Sequence, residues 1–330
     1  MISPSRCVAV LGTGSIGTRH LNVLRSVAEV RPVAVPIRRE RIGALRAAGF
    51  EVAENLDEAV RFGASACIVA TDTGRHRQDA TLAIEHNMDV LVEKPLAVDR
   101  VEAATVNACA EQYRKALFVG CVLRFSESLD TFRDFLPLIG QLHSVRIDCR
   151  SYLPDWRPDR PYKDSYSSRS DEGGVLRDLI HDIDYAGWLF GWPGAVQARL
   201  TNSGKLGIQA EETAELNWET VSGSIVSVSL DYLSRFPRRS IDAFGESGTL
   251  EWNGIEQTVT LSAAGSARKI VESTQSRDDM LLAQDLAFLC HASGPRDNRL
   301  ATGRDGVRAL AVCDAARLAS ANRKEEVVEW

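Results

Sequence analysis

The sequence predicts an α/β protein with two domains. The first is a doubly wound parallel sheet over residues 1–122, and the second is an α+β domain over residues 123–330 with an open-faced, mainly antiparallel sheet. Two patterns carry this prediction. In the first part, short apolar runs alternate with helical patterns, as in a parallel sheet with helices on both faces. In the second part, apolar and polar residues alternate along the strands, which indicates antiparallel strands with one covered face.

The overall composition argues against several classes of protein. The chain has 330 residues, a formal net charge of −6 and no basic block, so we expect neither nucleic acid nor an anionic membrane surface as a partner. No apolar run reaches the ~20 residues that span a bilayer, and Met1–Arg6 lacks a signal-peptide core. Seven scattered cysteines without CxxC spacing predict buried free thiols in a reducing cytoplasm and no metal site.

The first strand leads into a glycine-rich turn. An apolar run covers residues 7–11, the turn Gly12-Thr-Gly-Ser-Ile-Gly17 follows, and a helical pattern then runs to about Val27. A GxGxxG turn between a strand and a helix is typical of dinucleotide binding, because it lets a pyrophosphate approach the backbone and the helix N-terminus. The expected cofactor contacts are Gly12, Gly14, Ser15, Ile16 and Gly17.

The end of the second strand bears on the choice of cofactor. This strand is predicted at about Pro32–Ile37, and Arg38 and Arg39 follow it where NAD-binding sites usually carry an acid. Guanidinium groups suit a 2′-phosphate, which favours NADP. The alternative is NAD, with both arginines forming the solvated start of the next helix and Glu40 binding the ribose.

A short charged sequence ends the fifth strand, predicted at Val90–Val92. The remaining helices of this domain are expected at about Arg39–Ala48, Leu56–Phe62, Gln78–His86 and Arg100–Tyr113. Its remaining strands are expected at about Phe50–Val52, Ala66–Ala70 and Ala116–Val122. Glu93-Lys94-Pro95 follows the fifth strand, and ligands in such sheets bind at the carboxyl ends of strands. We therefore expect Lys94 near the nicotinamide end of the cofactor. The alternative is a loop lysine paired with Glu93.

One predicted helix of the second domain carries a polar face. The pair Gly173-Gly174 precedes a helix expected over Val175–Phe190. At helical spacing its apolar residues share one face, and the opposite face groups Asp178, His181, Asp182 and Tyr185. A histidine with a carboxylate three residues before it can act as a general base. The alternative is that this face simply contacts solvent. Helices are also expected at Glu127–Leu138, Met280–His291 and Gly306–Ala321.

The segment from Tyr152 to Arg169 mixes aromatic rings with cations and aspartates. Rings stack on sugar faces, and arginines bind phosphate or carboxylate, so the segment suits a charged sugar or a nucleotide sugar. The candidate substrate contacts are Tyr152, Trp156, Arg157 and Tyr162. The alternative is a proline-stiffened surface loop that packs on a neighbouring subunit.

Taken together, these motifs resemble the glucose–fructose oxidoreductase/inositol dehydrogenase (Gfo/Idh/MocA) family. The resemblance rests on the glycine turn with His20 behind it, on Glu93-Lys94-Pro95, on residues 173–184, and on Thr302-Gly-Arg-Asp-Gly306. It implies a Rossmann domain, then a sheet used for homodimer or homotetramer contacts. It also implies that Lys94 assists proton movement, that His181 is the acid/base, and that Asp178 holds the substrate or the base. Arg124 matches an arginine at the domain junction, with an interdomain ion pair as the alternative.

Two positions depart from the family pattern. The family usually separates its aspartate and histidine by four positions, whereas Asp178 and His181 are three apart, so Asp182 could share the role of Asp178. Asp72 stands where the family often has proline. The resemblance then leaves Thr71, Thr73 and His76 as cofactor neighbours, together with Glu93, Lys94 and Pro95.

The expected reaction is hydride transfer between nicotinamide and a ring or keto carbon of a sugar, nucleotide sugar or cyclitol. His181 would remove the hydroxyl proton, and Lys94 would stabilise the developing alkoxide. Substrate contacts would come from Lys94, Arg124, Asp178, His181 and the aromatic segment. Two other hypotheses are an NAD-dependent glycosidase that oxidises its substrate transiently and a regulatory protein that binds NADP without turnover.

Overall fold

A computed structural model describes residues 6–156, 161–293 and 295–330 of the chain. Two compact units are present, one formed by Met1–Phe125 with Ser276–Val307 and the other by Ser126–Gln275 with Arg308–Trp330. The predicted boundary between residues 122 and 123 therefore lies close to Phe125, where the first segment of the first unit ends. The predicted second domain, residues 123–330, differs from the second unit in one segment, because residues 276–307 belong to the first unit.

The secondary structure follows the predicted alternation. The helices are α1 (Ser15–Arg25), α2 (Arg41–Ala47), α3 (Leu56–Arg61), α4 (His76–Glu85), α5 (Arg100–Tyr113), α6 (Glu127–Phe135), α7 (Val175–Asp178), α8 (Ile180–Phe190), α9 (Arg277–Cys290) and α10 (Gly303–Asn322). The strands of the first unit are β1 (Arg6–Leu11), β2 (Val30–Val35), β3 (Glu51–Val52), β4 (Ala66–Val69), β5 (Asp89–Glu93), β6 (Leu117–Gly120) and, numbered in chain order after the strands of the second unit, β15 (Ala301–Thr302). Those of the second unit are β7 (Leu142–Tyr152), β8 (Ala195–Thr201), β9 (Thr213–Glu219), β10 (Ile225–Asp231), β11 (Leu233–Gly245), β12 (Gly248–Asn253), β13 (Thr258–Ala263), β14 (Lys269–Glu272) and β16 (Glu326–Val327).

The sheet of the first unit has the order β15-β6-β5-β4-β1-β2-β3. Its pairs are parallel from β6 to β3, and only the edge strand β15 is antiparallel to its neighbour within the described residues. The apolar runs lie in the core because a parallel sheet is covered on both faces. Val8, Ile68 and Leu91 are fully buried there beside Leu21 of α1. The doubly wound parallel sheet is therefore confirmed.

The sheet of the second unit has the order β14-β13-β12-β11-β7-β10-β9-β8-β16. Its strands show the expected alternation, and β9, for example, exposes every second residue. Most pairs are antiparallel, which confirms the predicted class, but β7 and β10 pair in parallel from Ser144 to Arg150. The order of these strands in the sheet therefore does not follow their order in the chain. β7 lies between β11 and β10, which come much later in the sequence.

The helix predicted over Val175–Phe190 is two helices. The break is at Leu179, whose φ of −95° and ψ of 24° end α7 before α8 begins. Asp178, Asp182 and Tyr185 are buried, so the alternative that this polar face contacts solvent is wrong. The apolar Leu176 is buried as well, so periodicity alone could not show which face lay in the core.

The free cysteines partly match the expectation. All seven are unbridged, and five of them are buried, namely Cys7, Cys67, Cys121, Cys149 and Cys313. Cys109 is half-buried, and Cys290 at the end of α9 is exposed, contrary to the prediction. Where burial is complete, as for Cys67, it raises the pKa of the thiol to about 12, so this side chain stays protonated and packs as an apolar group.

Candidate active site

The glycine turn between β1 and α1 is determined by close contacts at two of its three glycines. Gly12 has a φ of +89°, and a Cβ there would lie 2.6 Å from the carbonyl oxygen of Ala70. A Cβ on Gly17 would lie 1.9 Å from the carbonyl oxygen of Gly12. Gly14 differs, because a Cβ there would meet nothing within 4 Å. Two glycines therefore allow the turn to fold on itself and to pack against Ala70, and the third leaves open space beside the backbone.

The N-terminus of α1 opens onto that space. Gly14 is the N-cap residue, so the cap position has no side chain to accept a hydrogen bond from the helix amides. Two hydroxyls at the same edge of the sheet, Thr13 Oγ1 and Thr71 Oγ1, are buried without a hydrogen-bond partner. Buried polar atoms normally find partners, so these atoms indicate a ligand that supplies them. A helix N-terminus with polar atoms suits the phosphates of a dinucleotide, and the residues present therefore fit such a cofactor.

The two arginines after β2 lie on the surface. The strand ends at Val35 rather than at the expected Ile37, and Arg38 and Arg39 follow in an exposed turn before α2. Arg39 lies 3.7 Å from Glu54, and this ion pair is solvent-exposed. Exposed ion pairs of this kind constrain side chains weakly, so both guanidinium groups are accessible to an anionic ligand.

Glu93, Lys94 and Pro95 lie at the carboxyl end of β5, as predicted. The Lys94–Pro95 peptide bond is cis. Lys94 is half-buried, and the Glu93 carboxylate lies 3.0 Å from His20 Nε2. A Cβ on Gly120 of the neighbouring β6 would lie 2.8 Å from Glu93 Oε1, so the glycine makes room for this carboxylate.

His20 lies between two acids in the core of the first unit. Its Nδ1 is 2.7 Å from Asp285 Oδ2 of α9, while Nε2 contacts Glu93. Burial alone would lower the pKa of His20, but the charges and hydrogen bonds of Asp285 and Glu93 raise it to about 10. The imidazolium is therefore the stable form at neutral pH, and it balances charge beneath the turn that carries Lys94.

His76, at the start of α4, joins two segments of the same sheet edge. Nδ1 lies 2.7 Å from the carbonyl oxygen of Pro95, and Nε2 lies 3.0 Å from that of Thr71. The ring is buried, and burial lowers its pKa. His76 thus links the segment after β4 to the segment after β5. Thr73, in the segment after β4, is buried as well.

In the second unit, Asp178 and Asp182 belong to two separate polar groups. Asp178 Oδ2 accepts a hydrogen bond of 2.5 Å from the hydroxyl of Tyr232. Asp182 is paired with Arg239 at 3.0 Å and accepts a hydrogen bond from Tyr185. Asp182 is therefore occupied by an arginine and a tyrosine. His181, which follows the helix break, is half-buried.

The aromatic residues of the segment after β7 lie in different surroundings. Trp156 is 37% exposed, and its ring packs edge-on against Tyr232 with centroids 5.4 Å apart. Tyr152 is covered by the guanidinium of Arg235 at 4.1 Å from its ring centroid. The hydroxyl of Tyr162 donates to the carbonyl oxygen of Leu206 at 2.9 Å. Arg157, also a predicted substrate contact, lies outside the described residues.

Arg124 is buried inside the first unit. Its side chain is 2% exposed and lies 3.5 Å from Asp305 Oδ2. Asp305 also accepts hydrogen bonds from the backbone amide and the hydroxyl of Thr302. Both partners of this ion pair belong to the first unit, so it differs from the interdomain pair considered from the sequence.

Several residues of these networks, Arg239 among them, were not predicted from the sequence to belong to the site. Tyr232 lies between β10 and β11, and Asp285 lies on α9, far along the chain from their partners. A tyrosine between two strands is a weak signal. An aspartate among the apolar residues of a helix is a better one, because buried carboxylates are normally paired.

The second sheet carries another candidate site. A shallow groove of about 380 Å³ lies on the second sheet, and polar side chains of β11–β13 such as Asp242 and Glu251 line it. No group of three or more histidine, cysteine, aspartate or glutamate side chains in the described ranges is placed to hold a metal ion. Among the same residues, no helix is both long and apolar enough to cross a bilayer.

Comparisons with known proteins point to one family for both parts of the chain. Residues 6–121 match the family described as "Oxidoreductase family, NAD-binding Rossmann fold", and residues 138–251 match "GFO/IDH/MocA C-terminal domain". The chain is 29% identical over 320 residues to the myo-inositol dehydrogenase Hyg17 of Streptomyces leeuwenhoekii, covering 94% of this chain and 95% of that one. It is 26% identical over 327 residues to the rhizopine catabolism protein MocA of Rhizobium meliloti, covering 94% and 93%.

Solved structures share the fold at lower identity. A levoglucosan dehydrogenase in complex with NADH and levoglucosan superposes with a TM-score of 0.87 and 17% identity, covering 98% of this chain and all of that one. The UDP-N-acetylglucosamine 3-dehydrogenase GnnA of Acidithiobacillus ferrooxidans superposes with a TM-score of 0.80 and 19% identity, covering 96% and 98%. At such identities these likenesses show the architecture.

Proposed function

Since this chain belongs to the Gfo/Idh/MocA oxidoreductase family, we propose that it transfers a hydride between a nicotinamide cofactor and a carbon of a sugar, nucleotide sugar or cyclitol. The observation that carries the proposal is the open edge at Gly14. There, the uncapped N-terminus of α1 lies beside the buried, unpartnered hydroxyls of Thr13 and Thr71. When bound, the nicotinamide supplies the hydride acceptor or donor, and the protein supplies binding and orientation.

The proposed cofactor contacts come from the ends of four strands. The turn residues Gly12, Gly14, Ser15, Ile16 and Gly17 hold the pyrophosphate. Arg38 and Arg39 bind a 2′-phosphate, which favours NADP, and NAD is the alternative. The turn at Glu93, Lys94 and Pro95 and the linked segment with Thr71, Thr73 and His76 border the rest of the cofactor.

The proposed proton chemistry uses three side chains. His181 takes the proton of the substrate hydroxyl as the carbon is oxidised and returns it in the reverse reaction. Lys94 stabilises negative charge on the same oxygen. Asp178 contacts the substrate or orients His181, and its hydrogen bond to Tyr232 keeps the carboxylate in one position. Asp182 is left out of this role because Arg239 and Tyr185 engage its carboxylate.

The proposed substrate contacts extend beyond these groups. Trp156 is the best placed of the aromatic residues, since more than a third of its surface is exposed and can stack on a sugar face. Tyr152, Arg157 and Tyr162 are further candidates from the same segment. Arg124 is proposed to influence substrate binding indirectly, through its ion pair with Asp305, because its own side chain is buried.

We also propose that the second sheet mediates a homodimer or a homotetramer. Its open face carries both signs of charge, with Arg238 lying 3.3 Å from Asp148 and 3.9 Å from Asp242. A face with paired charges can match a second copy of itself across a twofold axis. Light scattering coupled to size exclusion would show the oligomer, and a monomer at micromolar concentration would contradict this part of the proposal.

The direct test is an assay of the purified protein with NAD⁺ and NADP⁺ against myo-inositol, levoglucosan and UDP-N-acetylglucosamine. These are the compounds named for three proteins of similar sequence or fold. We expect cofactor reduction with at least one compound of this kind. Glycoside cleavage with a retained cofactor and no net reduction would indicate the glycosidase hypothesis. Cofactor binding without turnover of any sugar would indicate a regulatory protein instead.

A further inference from the structure

Asp178 lies at the C-terminal end of a short helix. Asp178 is the last residue of α7, and the chain leaves helical geometry at Leu179 directly after it. A contact from outside α7 therefore bears on the orientation of the carboxylate. The structure supplies the Tyr232 hydroxyl, which donates to Asp178 Oδ2 at 2.5 Å.

Tyr232 is itself fixed by its backbone hydrogen bonds and by burial. Its backbone amide donates to the carbonyl oxygen of Glu212 at 2.9 Å, and its carbonyl accepts from the amide of Leu153 at 3.1 Å. Glu212 is buried, and it is fixed in turn by the backbone amides of Ser203 and Leu206. The ring of Tyr232 is fully buried, so its hydroxyl has a position determined by the fold rather than by the substrate.

The same ring also supports Trp156. The two rings meet edge-to-face with centroids 5.4 Å apart and an interplanar angle of 90°. Such a contact restricts the orientation of the tryptophan while leaving part of its surface exposed. One buried side chain thus contacts both the proposed sugar platform and the proposed active-site carboxylate.

We propose that Tyr232 is a positioning residue of this enzyme, whose hydroxyl orients Asp178 and whose ring orients Trp156. The inference rests on the proposed function, since it assigns a support to two side chains of that site. The two halves of Tyr232 then have separable effects, because removal of the oxygen leaves the ring in place. The hydroxyl should act mainly on the chemical step, and the ring should also act on substrate binding.

The chain offers a closely matched control in Tyr185. This tyrosine is also fully buried, also donates to an aspartate of the same helical segment, and also packs edge-on against a tryptophan. Its aspartate is Asp182, which has Arg239 as a second partner. Tyr185→Phe therefore reports the general cost of removing a buried tyrosine hydroxyl in this region.

The experiment compares Tyr232→Phe, Tyr232→Leu and Tyr185→Phe with the best substrate among myo-inositol, levoglucosan and UDP-N-acetylglucosamine. For Tyr232→Phe we expect kcat to fall about tenfold or more, since a hydrogen bond to a charged group is lost. KM should stay within about twofold if only the chemical step is affected. Tyr232→Leu should lower kcat and raise KM, and Tyr185→Phe should retain kcat. Equal kcat values for the two Phe variants would overturn the inference.

Two further measurements keep this inference separate from the proposed function. Asp178→Asn should lose turnover; if it does and Tyr232→Phe does not, the positioning role alone is wrong. The carboxylate stretch of Asp178, identified in the infrared spectrum by its loss in Asp178→Asn, should shift in Tyr232→Phe and stay unchanged in Tyr185→Phe. If no substrate is turned over, the proposed function fails, and the infrared band alone tests the hydrogen bond between Tyr232 and Asp178. A band that does not shift in Tyr232→Phe would then overturn the inference.

A second replacement guards against a variant that does not fold. With 3-fluorotyrosine at position 232, the ring and the donor remain, but the hydroxyl becomes a stronger acid. A changed kcat with unchanged KM would support the positioning of Asp178, and an unchanged kcat would overturn it.

Discussion

His20 Nδ1 and Asp285 Oδ2 lie 2.7 Å apart although 265 residues separate them in the sequence. The other ring nitrogen of His20 contacts Glu93, which precedes Lys94 at the end of β5. All three side chains are largely or fully removed from water. The charge of the imidazolium thus links α1, α9 and the turn that carries the proposed active-site lysine.

His20→Gln tests this charge cluster through stability and its pH dependence. We expect a loss of about 3–5 kcal/mol in the free energy of unfolding, because two buried carboxylates lose their cation. Since the folded-state pKa of His20 is raised to about 10, its contribution is complete below the unfolded value of about 6.5 and is lost as pH rises through 10. Urea unfolding should therefore show stability falling over this range less steeply in the variant than in the natural protein.

The control for His20 is His86→Gln. His86 is partly exposed and lies 3.5 Å from the exposed Asp57, so its loss should change stability by less than about 1 kcal/mol. Parallel pH curves for the natural protein and His20→Gln would contradict the charged state assigned to His20.

Gly14→Ala and Gly12→Ala should separate cofactor binding from folding. At Gly14 the new methyl group meets no protein atom within 4 Å, so thermal stability should stay within about 0.5 kcal/mol of the original. Cofactor affinity should fall about tenfold or more, equal to ~1.4 kcal/mol, because the methyl group stands where the pyrophosphate would approach.

Gly12→Ala, the comparison variant, should instead lower the stability of the protein. Gly12→Ala forces a side chain into a backbone with φ of +89° and a contact of 2.6 Å with Ala70, so it should lose about 1–3 kcal/mol of stability. Calorimetry and cofactor titration measure both quantities. Unchanged cofactor affinity in Gly14→Ala would contradict the proposed phosphate site.

Lys94→Ala and His181→Ala should each lower turnover by about two to four orders of magnitude, since positioned proton-transfer groups contribute that much. Cofactor affinity should remain close to the original, and steady-state kinetics with fluorescence titration measure the two effects. Lys324→Ala, an exposed lysine paired with Glu326, is the control and should turn over normally. Full turnover in both active-site variants would end the assignment of these side chains.

The pair Arg38→Ala and Arg39→Ala should reveal the cofactor preference. Both side chains are exposed after β2, and removal of both should raise the KM for NADP⁺ about tenfold or more while changing that for NAD⁺ little. The ratio of kcat/KM for the two cofactors measures this. A natural protein that already prefers NAD⁺ and does not change on substitution would favour the alternative, in which Glu40 binds the ribose.

Arg239→Ala should destabilise the protein by about 3–5 kcal/mol, because Asp182 is fully buried and would lose its cation. The control Arg77→Ala removes an exposed guanidinium paired with Glu102 and should cost less than about 1 kcal/mol. Chemical unfolding of the two variants compares them directly. Equal losses would show that Asp182 does not depend on the ion pair.

Local patterns predicted most of the elements and several parts of the site. The glycine turn, the end of β5 at Glu93 and the alternation along β9 follow from interactions within a few residues. Helix bounds mostly agreed to within one to three residues, as for α2 at Arg41–Ala47. The break at Leu179 could not be predicted, because the segment contains neither glycine nor proline there and is buried on all sides.

The sequence by itself determined the two kinds of sheet, the dinucleotide-binding turn and the positions of Lys94 and His181 along the chain. These follow from residue spacing, because side-chain direction repeats every two residues in a strand and about every 3.6 in a helix. Only the tertiary structure decided that Tyr232 supports Asp178, that Arg239 engages Asp182, and that residues 276–307 return to bring Asp285 to His20. Local spacing does not determine these partners. A buried polar group needs a hydrogen-bond partner, and that partner can come from a distant part of the chain.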